Sequence, residues 1–543
     1  MYDSTLGPLR KRLKERTGCD VTLISEDREP RPLAVPGLAL ARTSGLILVL
    51  SLLTIGLGFG VQVVLAARLG TSRVMDAYLV AVTLPALGAT VALIAFPSVL
   101  VPAIRGRIAR GAEGDAESVF RAALVVSAGA GILASFLLSS GAHWIVRLTA
   151  PGLGLTSSDT AAGLLRIAAI GLAFDSPRAV LMARHYATGR YFAPQLAPSL
   201  NHVILLATAL LFLPRWGIMT MAFAWTGGSA AMLGVMAVSA FRRPSPSRRL
   251  SAGWVGLGAL PAALALAALS QTTPFVDRWV ASFLPEGAIS SLGYGSRVLE
   301  AMLRTIPMGV VLAVFPVLSE HAARRVWPTF ARELERSLRL LLLGVLPLFA
   351  IVVTLRQPLI TILFQRGSFG PESTLQVAQT LLWYGLAFVP ASLAYAFQHA
   401  LLAAGRVALL TKNAAMVLLA TILLDLALAE RWGHVGVATA YFVLSIGMVG
   451  LMGFQLHRMG IHLDRIDLRR WLWKTCGSAA LMLGVLWLIR ATIPGNGVGR
   501  ADLIAWLGLA SLLGLLIYGL ALLRLRVPEV VRLQERVVHR LRH

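Results

Sequence analysis

Apolar residues follow one another along this chain in blocks of about 20, the length that crosses a bilayer as helix. The blocks predict membrane spans near 43–66, 77–103, 121–144, 161–182, 193–213, 217–240, 252–274, 287–318, 337–361, 376–401, 408–429, 434–456, 473–490 and 502–523. That makes fourteen. The segment 287–318 is longer than a bilayer needs, which predicts a tilted or broken helix there.

The polar linkers alternate in charge along the same order. Arg105, Arg107 and Arg110 follow the second span, Arg242, Arg243, Arg248 and Arg249 the sixth, and Arg324, Arg325, Arg332 and Arg336 the eighth. Linkers after odd-numbered spans are poorer, with Arg215 alone after the fifth. Basic linkers stay in the cytoplasm, so both termini are expected inside a bacterial cytoplasmic membrane. The segment 1–42, basic at Arg10–Arg16 and linker-like at 27–37, reads as a cytosolic extension, and 524–543 as a basic cytosolic tail.

Composition agrees and excludes a soluble enzyme. Of 543 residues, 57% are hydrophobic and only 14% charged, with a mean hydropathy of +0.73; a soluble domain carries about 25% charged residues. The formal charge of +24 is accounted for by topology and by anionic membrane lipids, because the arginines are scattered through short loops rather than gathered into a nucleic-acid patch. Cys19 and Cys476 have neither disulfide nor metal-site spacing.

An internal repeat is visible. "GLAFDSPRAVLMARHYATGR" begins at 171 in the fourth span, and "GLAFVPASLAYAFQHALLAAGR" begins at 385 in the tenth. Phe96-Pro97 and Phe315-Pro316, with Pro85 and Pro307, extend the correspondence to the second and eighth spans. Six spans separate the copies, so the expected architecture is two parallel six-helix lobes, 43–241 and 252–458, with 473–523 as two added helices. Proline inside a span leaves a carbonyl unpaired and bends the helix, which makes Pro85, Pro177, Pro307 and Pro390 candidates for cavity-shaping or gating bends, or for ordinary packing kinks.

Ionisable side chains in a span are costly and normally face a partner or a wet cavity. Asp175 and Arg178 lie three apart in the fourth span, and Arg297, Glu300 and Arg304 share one face of the eighth. A stripe of two arginines and one glutamate suits a phosphate or pyrophosphate, to which guanidinium presents a fixed fork of donors; it also fits an ion-pair network between helices. Asp277 and Arg278 lie at the outer end of the seventh span. Asp76 opens the second span, where an acid caps a helix. Asp425, without a partner nearby in sequence, is the candidate for protonation or ion binding, with Asp277 second. No nucleotide loop, HExxH or GxSxG occurs. No cofactor or metal is therefore expected, and the energy sources left are membrane potential, a monovalent-ion gradient or the substrate's own gradient.

"RLGTSRVMDAYLVAVTLP" (68–85), "SFLPEGAISSLGYGSRVLEAMLRTIPMGVVLAVFPVLSE" (282–320), "PLITILFQRGSFGPES" (358–373) and "YGLAFVPASLAYAFQHALLAAGR" (384–406) resemble the MurJ/MviN family of lipid-linked peptidoglycan precursor flippases. The resemblance implies an all-α membrane protein with fourteen helices, two six-helix lobes in a V around a cationic cavity, and a groove for a polyprenyl tail at the last two helices. It also implies alternating access carrying a polyprenyl-pyrophosphate-linked saccharide between leaflets. Asp76 matches the family's acid at the start of the second helix. Arg297 matches the arginine that closes the segment written "GYGSR" in this chain, and Glu300 stands three residues later as in some members. Two family arginines are missing: Val61 and Gln62 stand where a "GFxRD" motif is usual, and Ala89 where "NLLRR" is usual. Arg178, Arg278 and Arg304 are the residues expected to restore that charge.

The leading expectation is a non-enzymatic flippase for a lipid II-like precursor, working alongside cell-wall or polysaccharide synthesis proteins. The alternatives are an exopolysaccharide or O-antigen unit flippase, an ion-coupled small-molecule exporter and a non-transporting membrane scaffold.

Overall fold

The computed structural model describes residues 37–241, 258–463, 465–492 and 499–541. Contacts divide the chain into Met1–Val49 and Leu50–His543, and the packing below belongs to the second unit. Residues 1–36, with Cys19, lie outside the described residues, and the first helix begins at Gly37, so the expected boundary at 42 falls inside a helix.

Among the described residues there are nineteen helices and no strand. They are α1 (Gly37–Leu69), α2 (Arg73–Ala109), α3 (Glu113–Ser140), α4 (Ala142–Thr149), α5 (Leu155–Ala169), α6 (Leu172–Ala187), α7 (Phe192–Leu211), α8 (Leu213–Trp216) and α9 (Met219–Phe241). Beyond them lie α10 (Leu260–Ser270), α11 (Thr273–Ala281), α12 (Ala288–Ala323), α13 (Trp327–Phe364), α14 (Pro371–Ala403), α15 (Val407–Trp432), α16 (His434–Arg458), α17 (Arg465–Arg490), α18 (Arg500–Arg524) and α19 (Pro528–Leu541). Twelve are long and apolar enough to cross a membrane. The fourth predicted span is broken into α5–α6, and the seventh, expected at 252–274 and described from 258, breaks after α10 and runs on past its expected end as α11, which accounts for the difference from fourteen.

Each break has a local cause. At Ile170–Gly171 neighbouring side chains take carbonyls near the helix end: Ser135 Oγ donates to Ala169 O (2.8 Å), Thr226 Oγ1 to Ile167 O (2.7 Å) and Ser139 Oγ to Arg166 O (2.8 Å). At Gln271–Thr272, Thr272 Oγ1 donates to Leu269 O (2.8 Å), and Pro274 starts the next helix where a missing N–H costs nothing. A third distortion lies in α13, where Leu355 leaves helical geometry (φ −104°, ψ 20°) just before Pro358. Pro85, Pro307 and Pro390 sit inside the continuous helices α2, α12 and α14, and Pro177 in the second turn of α6.

The repeat is expressed in packing. The fourth span, through α6, lies against α2, α3 and α9; the tenth, α14, lies against α12, α13 and α16, the helices six spans later. Likewise α7 packs on α9 as α15 packs on α16. The copies are not identical, since α14 runs unbroken through its GLAF segment whereas the first copy breaks just before it. The seventh span passes between the bundles: α10 packs on α2 and α11 on α15. Finally α17 and α18 pack on each other and on α13.

At one end the two bundles are sealed together. Ser368 N donates to Ala67 O (2.8 Å), the Thr71 and Ser373 hydroxyls are 2.7 Å apart, and Tyr294 Oη donates to Gly70 O (3.2 Å). The approach is close enough to require glycine: a Cβ on Gly367 (φ +56°) would meet Ala67 O at 2.2 Å. Beneath it Tyr294, Phe364 and Phe369 form an aromatic plug with ring centroids 5.2 to 5.8 Å apart.

Candidate functional site

Below this seal is a cavity of about 490 Å³, walled by α11, α12, α14, α15 and α16, with Gln62 of α1 and Met75 and Leu79 of α2 on the facing side. The break before α11 turns Asp277 and Arg278 into it, and the helical period of α12 adds Arg297 and Glu300. Arg297 Nη1 donates to Glu300 Oε2 (3.0 Å), and the two side chains are 47% and 46% exposed, so this pair is hydrated rather than locked in a helix contact. Arg278 Nη1 donates to the Thr83 hydroxyl and has no ion-pair partner among the described residues. Tyr384, Tyr395, Gln398, Asn413 and Ser445 complete a wall of aromatic and neutral polar groups.

Arg304, further along the same face of α12, is exposed and is not part of the wall. His202 of α7 lies within the field of both Arg297 and Arg304, and its Nδ1 is 2.7 Å from Pro198 O. Positive charge therefore sits on the second-bundle wall, where Arg278 and Arg297 are offset by Asp277 and Glu300.

Arg178 and Asp175 are elsewhere. Arg178 Nη2 is 2.7 Å from Asp175 Oδ1, Ser229 Oγ donates to Asp175 Oδ2 (2.9 Å), and the two charged side chains are 6% and 3% exposed. The expectation that Arg178 adds charge to the cavity does not match this placement: its guanidinium is spent on Asp175 inside the first bundle, and the Ser229 bond to that carboxylate ties α6 to α9. Asp76 does not cap its own helix, which Ser72 does. It crosses to α12, where Oδ2 accepts from Gly287 N (2.8 Å) and Oδ1 from Ser290 N (2.7 Å), joining the bundles at the seal.

The carboxyls of Asp277 and Asp425 are close enough to interact directly, although they come from separate helices, and Asp425 Oδ2 is buried with no hydrogen-bond partner. Two carboxyls in contact need a proton or a cation between them. Sequence reasoning singled out both but not their pairing. It missed Asn413, whose amide exchanges hydrogen bonds with Gln455 (3.0 and 2.8 Å), and the tyrosines of the wall. Two amides near facing ends of consecutive apolar spans were the available signal.

A family model described as lipid II flippase MurJ matches residues 65–504. The chain belongs to the MurJ family. It is 27% identical over 486 residues to the probable lipid II flippase MurJ of Thermotoga maritima, covering 88% of this chain and 95% of that protein. The Rhizobium meliloti protein of the same description is 29% identical over 359 residues, 61% of this chain and 64% of its own length. Among solved structures, a lipid II flippase MurJ in an inward closed conformation superposes with a TM-score of 0.74 at 22% identity, covering 88% of this chain and 99% of that one. An inward-facing multidrug resistance MATE transporter shares the fold at a TM-score of 0.60 and 15% identity, over 77% of this chain and 95% of that one. The chain is thus an all-helical, multi-pass membrane protein of the MurJ family. Where the MurJ resemblance led to expected arginines, Val61 and Ala89 are buried in the core and Gln62 faces the cavity uncharged.

Proposed function

We propose that this protein is a transporter, not an enzyme, that carries a lipid II-like polyprenyl-pyrophosphate-linked saccharide from the inner to the outer leaflet of the bacterial cytoplasmic membrane by alternating access. The observation that carries the reading is the hydrated Arg297–Glu300 pair in the cavity of a MurJ-family fold. Glu300 holds the guanidinium in place, and an incoming pyrophosphate can take over its donors and can also accept from Arg278, which has no carboxylate to surrender. Arg304, on the same helix face outside the wall, is placed to meet the anion before it enters. A cavity of this size accepts a pyrophosphate and the sugar next to it. A larger headgroup extends through the open side.

In this orientation both termini are cytoplasmic, the sealed end faces outward and the cavity is loaded from the inside. The domains are then a first lobe at 43–241, a second at 252–458, and α17–α18 as the path of the polyprenyl tail. Asp277 and Asp425 are the coupling site for a proton or monovalent cation: their paired carboxyls and the orphaned Asp425 Oδ2 fit either, and loading neutralises a charge directly beside Arg278. Anionic lipids and cell-wall synthesis proteins complete the expected partners.

The test is complementation in a strain depleted of its peptidoglycan flippase. Wild-type protein is expected to restore growth and clear the accumulated lipid-linked precursor. Arg297→Ala and Arg278→Ala should fail at normal membrane abundance, and Arg297→Lys should restore growth only partly, because an ammonium cannot reproduce the guanidinium fork. Full growth with Arg297→Ala would overturn the role of the stripe, and a precursor pool unaffected by wild-type protein would overturn the cargo.

A further inference from the structure

Two pairs of guanidiniums lie where α13 meets α17 and α18, away from the cavity. Arg356 lies at the kink of α13 and Arg366 just beyond the end of that helix, Arg490 ends α17 and Arg500 begins α18. Arg356 and Arg490 lie within each other's field, as do Arg366 and Arg500, and α13 packs on both α17 and α18.

Their bonds are to main chain alone. Arg356 Nη1 donates to Val353 O (2.6 Å), Arg366 Nη2 to Ile362 O (2.7 Å) and Arg500 Nη2 to Gln365 O. Arg366 Nε is buried with no partner at all. None of the four forms an ion pair among the described residues; Asp502 and Glu372, in the first turns of α18 and α14, do not reach them. The segment 493–498 between α17 and α18 contains no acid in its sequence. Arginine on this side also runs against the charge bias that sets topology, so its position calls for a local reason. Guanidiniums with no carboxylate partner, one of them with an unused buried donor, are matched by a multiply charged phosphate.

We propose that Arg356, Arg366, Arg490 and Arg500 form an outer-leaflet docking site for the pyrophosphate of a polyprenyl-linked molecule, distinct from the cavity. The inference rests on the flippase reading and deepens it: the cavity accepts the headgroup from inside, and this cluster holds it after crossing, while its tail lies along the lipid-facing surface of α17–α18. Exposed Leu481, Trp487, Leu488, Leu509 and Leu512 give that surface its apolar character.

The test uses full-length protein in nanodiscs of zwitterionic lipid and a photoreactive isoprenyl pyrophosphate, with cross-linked peptides mapped by mass spectrometry. Label is expected in two places, the α12 peptide of the cavity and the peptides holding 356–366 and 490–500. Changing Arg366, Arg490 and Arg500 together to Gln should cut the second label about tenfold and leave the first intact. Changing them to Lys keeps the charge and should retain most of it, so a folding defect is told apart from a lost site. Excess phosphatidylglycerol should compete weakly. If it displaces the outer label as well as unlabelled isoprenyl pyrophosphate does, the cluster is an annular phospholipid site and the proposal fails. Label in the cavity alone, or outer label indifferent to the Gln changes, overturns it while sparing the flippase reading. Label in neither place removes both.

Discussion

Asp175 and Arg178 show how burial changes what a charge is for. Both lie in the interior with Ser229 closing the network, so removing one partner strands the other in a medium that cannot solvate it, at a cost of about 3 to 5 kcal/mol. Arg178→Met is therefore expected to lower the apparent melting temperature in detergent sharply, and Asp175→Leu combined with Arg178→Met to recover most of the loss. A fluorescence-monitored melt of the three proteins checks this; equal melting of the single and double variants would mean the pair is not coupled. The contrast with Arg297 and Glu300, three residues apart in the same way, lies entirely in exposure. Spacing made both pairs legible in the sequence, because the helical period fixes which neighbours share a face. It could not reveal which pair faces water, nor that Asp277 meets Asp425, because that contact joins two helices far apart in the chain. The same reason hid the role of Asp76, whose amide partners belong to a helix far along the chain.

At the scale of elements, length and hydropathy identified every crossing, since a bilayer leaves little freedom in either. The break at Ile170–Gly171 was not legible, because apolar residues continue through it and the groups that stabilise it come from other helices, whereas the break at Gln271–Thr272 is written in the sequence as Ser270-Gln271-Thr272-Thr273-Pro274. The basic tail proved to contain a helix, α19, fastened by polar contacts: Trp471 Nε1 donates to Glu529 Oε2 (2.8 Å), and Arg339, 11% exposed, pairs with Glu335, Asp467 and Glu529. Glu529 is the only one of these acids on α19. Glu529→Ala should consequently free α19 without unfolding the bundle, seen as faster proteolysis after residue 526 with an unchanged core fragment. Cleavage at the wild-type rate would show that Val527, fully buried, holds the helix by itself.

For the whole molecule, alternating access requires the sealed end to open, and the seal consists of few groups in close contact. Thr71 and Ser373 come from opposite bundles with their hydroxyls 2.7 Å apart, within reach of a disulfide once both are cysteine. Thr71→Cys with Ser373→Cys should cross-link under mild oxidation, stop complementation, and regain it on reduction. Adding Gly367→Ala tests the geometry from the other direction. The new methyl would sit 2.2 Å from Ala67 O, against backbone that cannot move aside cheaply, at a φ of +56° that alanine adopts only with strain. The sealed state is the one that carries this clash, so the population shifts away from it by the amount of the strain. Cross-linking yield should fall relative to the double-cysteine protein at equal abundance, as read by mobility on a non-reducing gel. An undiminished yield would mean that the loop at 366–370 is not part of the moving seal, and that the opening of this end must be sought in the Asp76 contact with α12 alone.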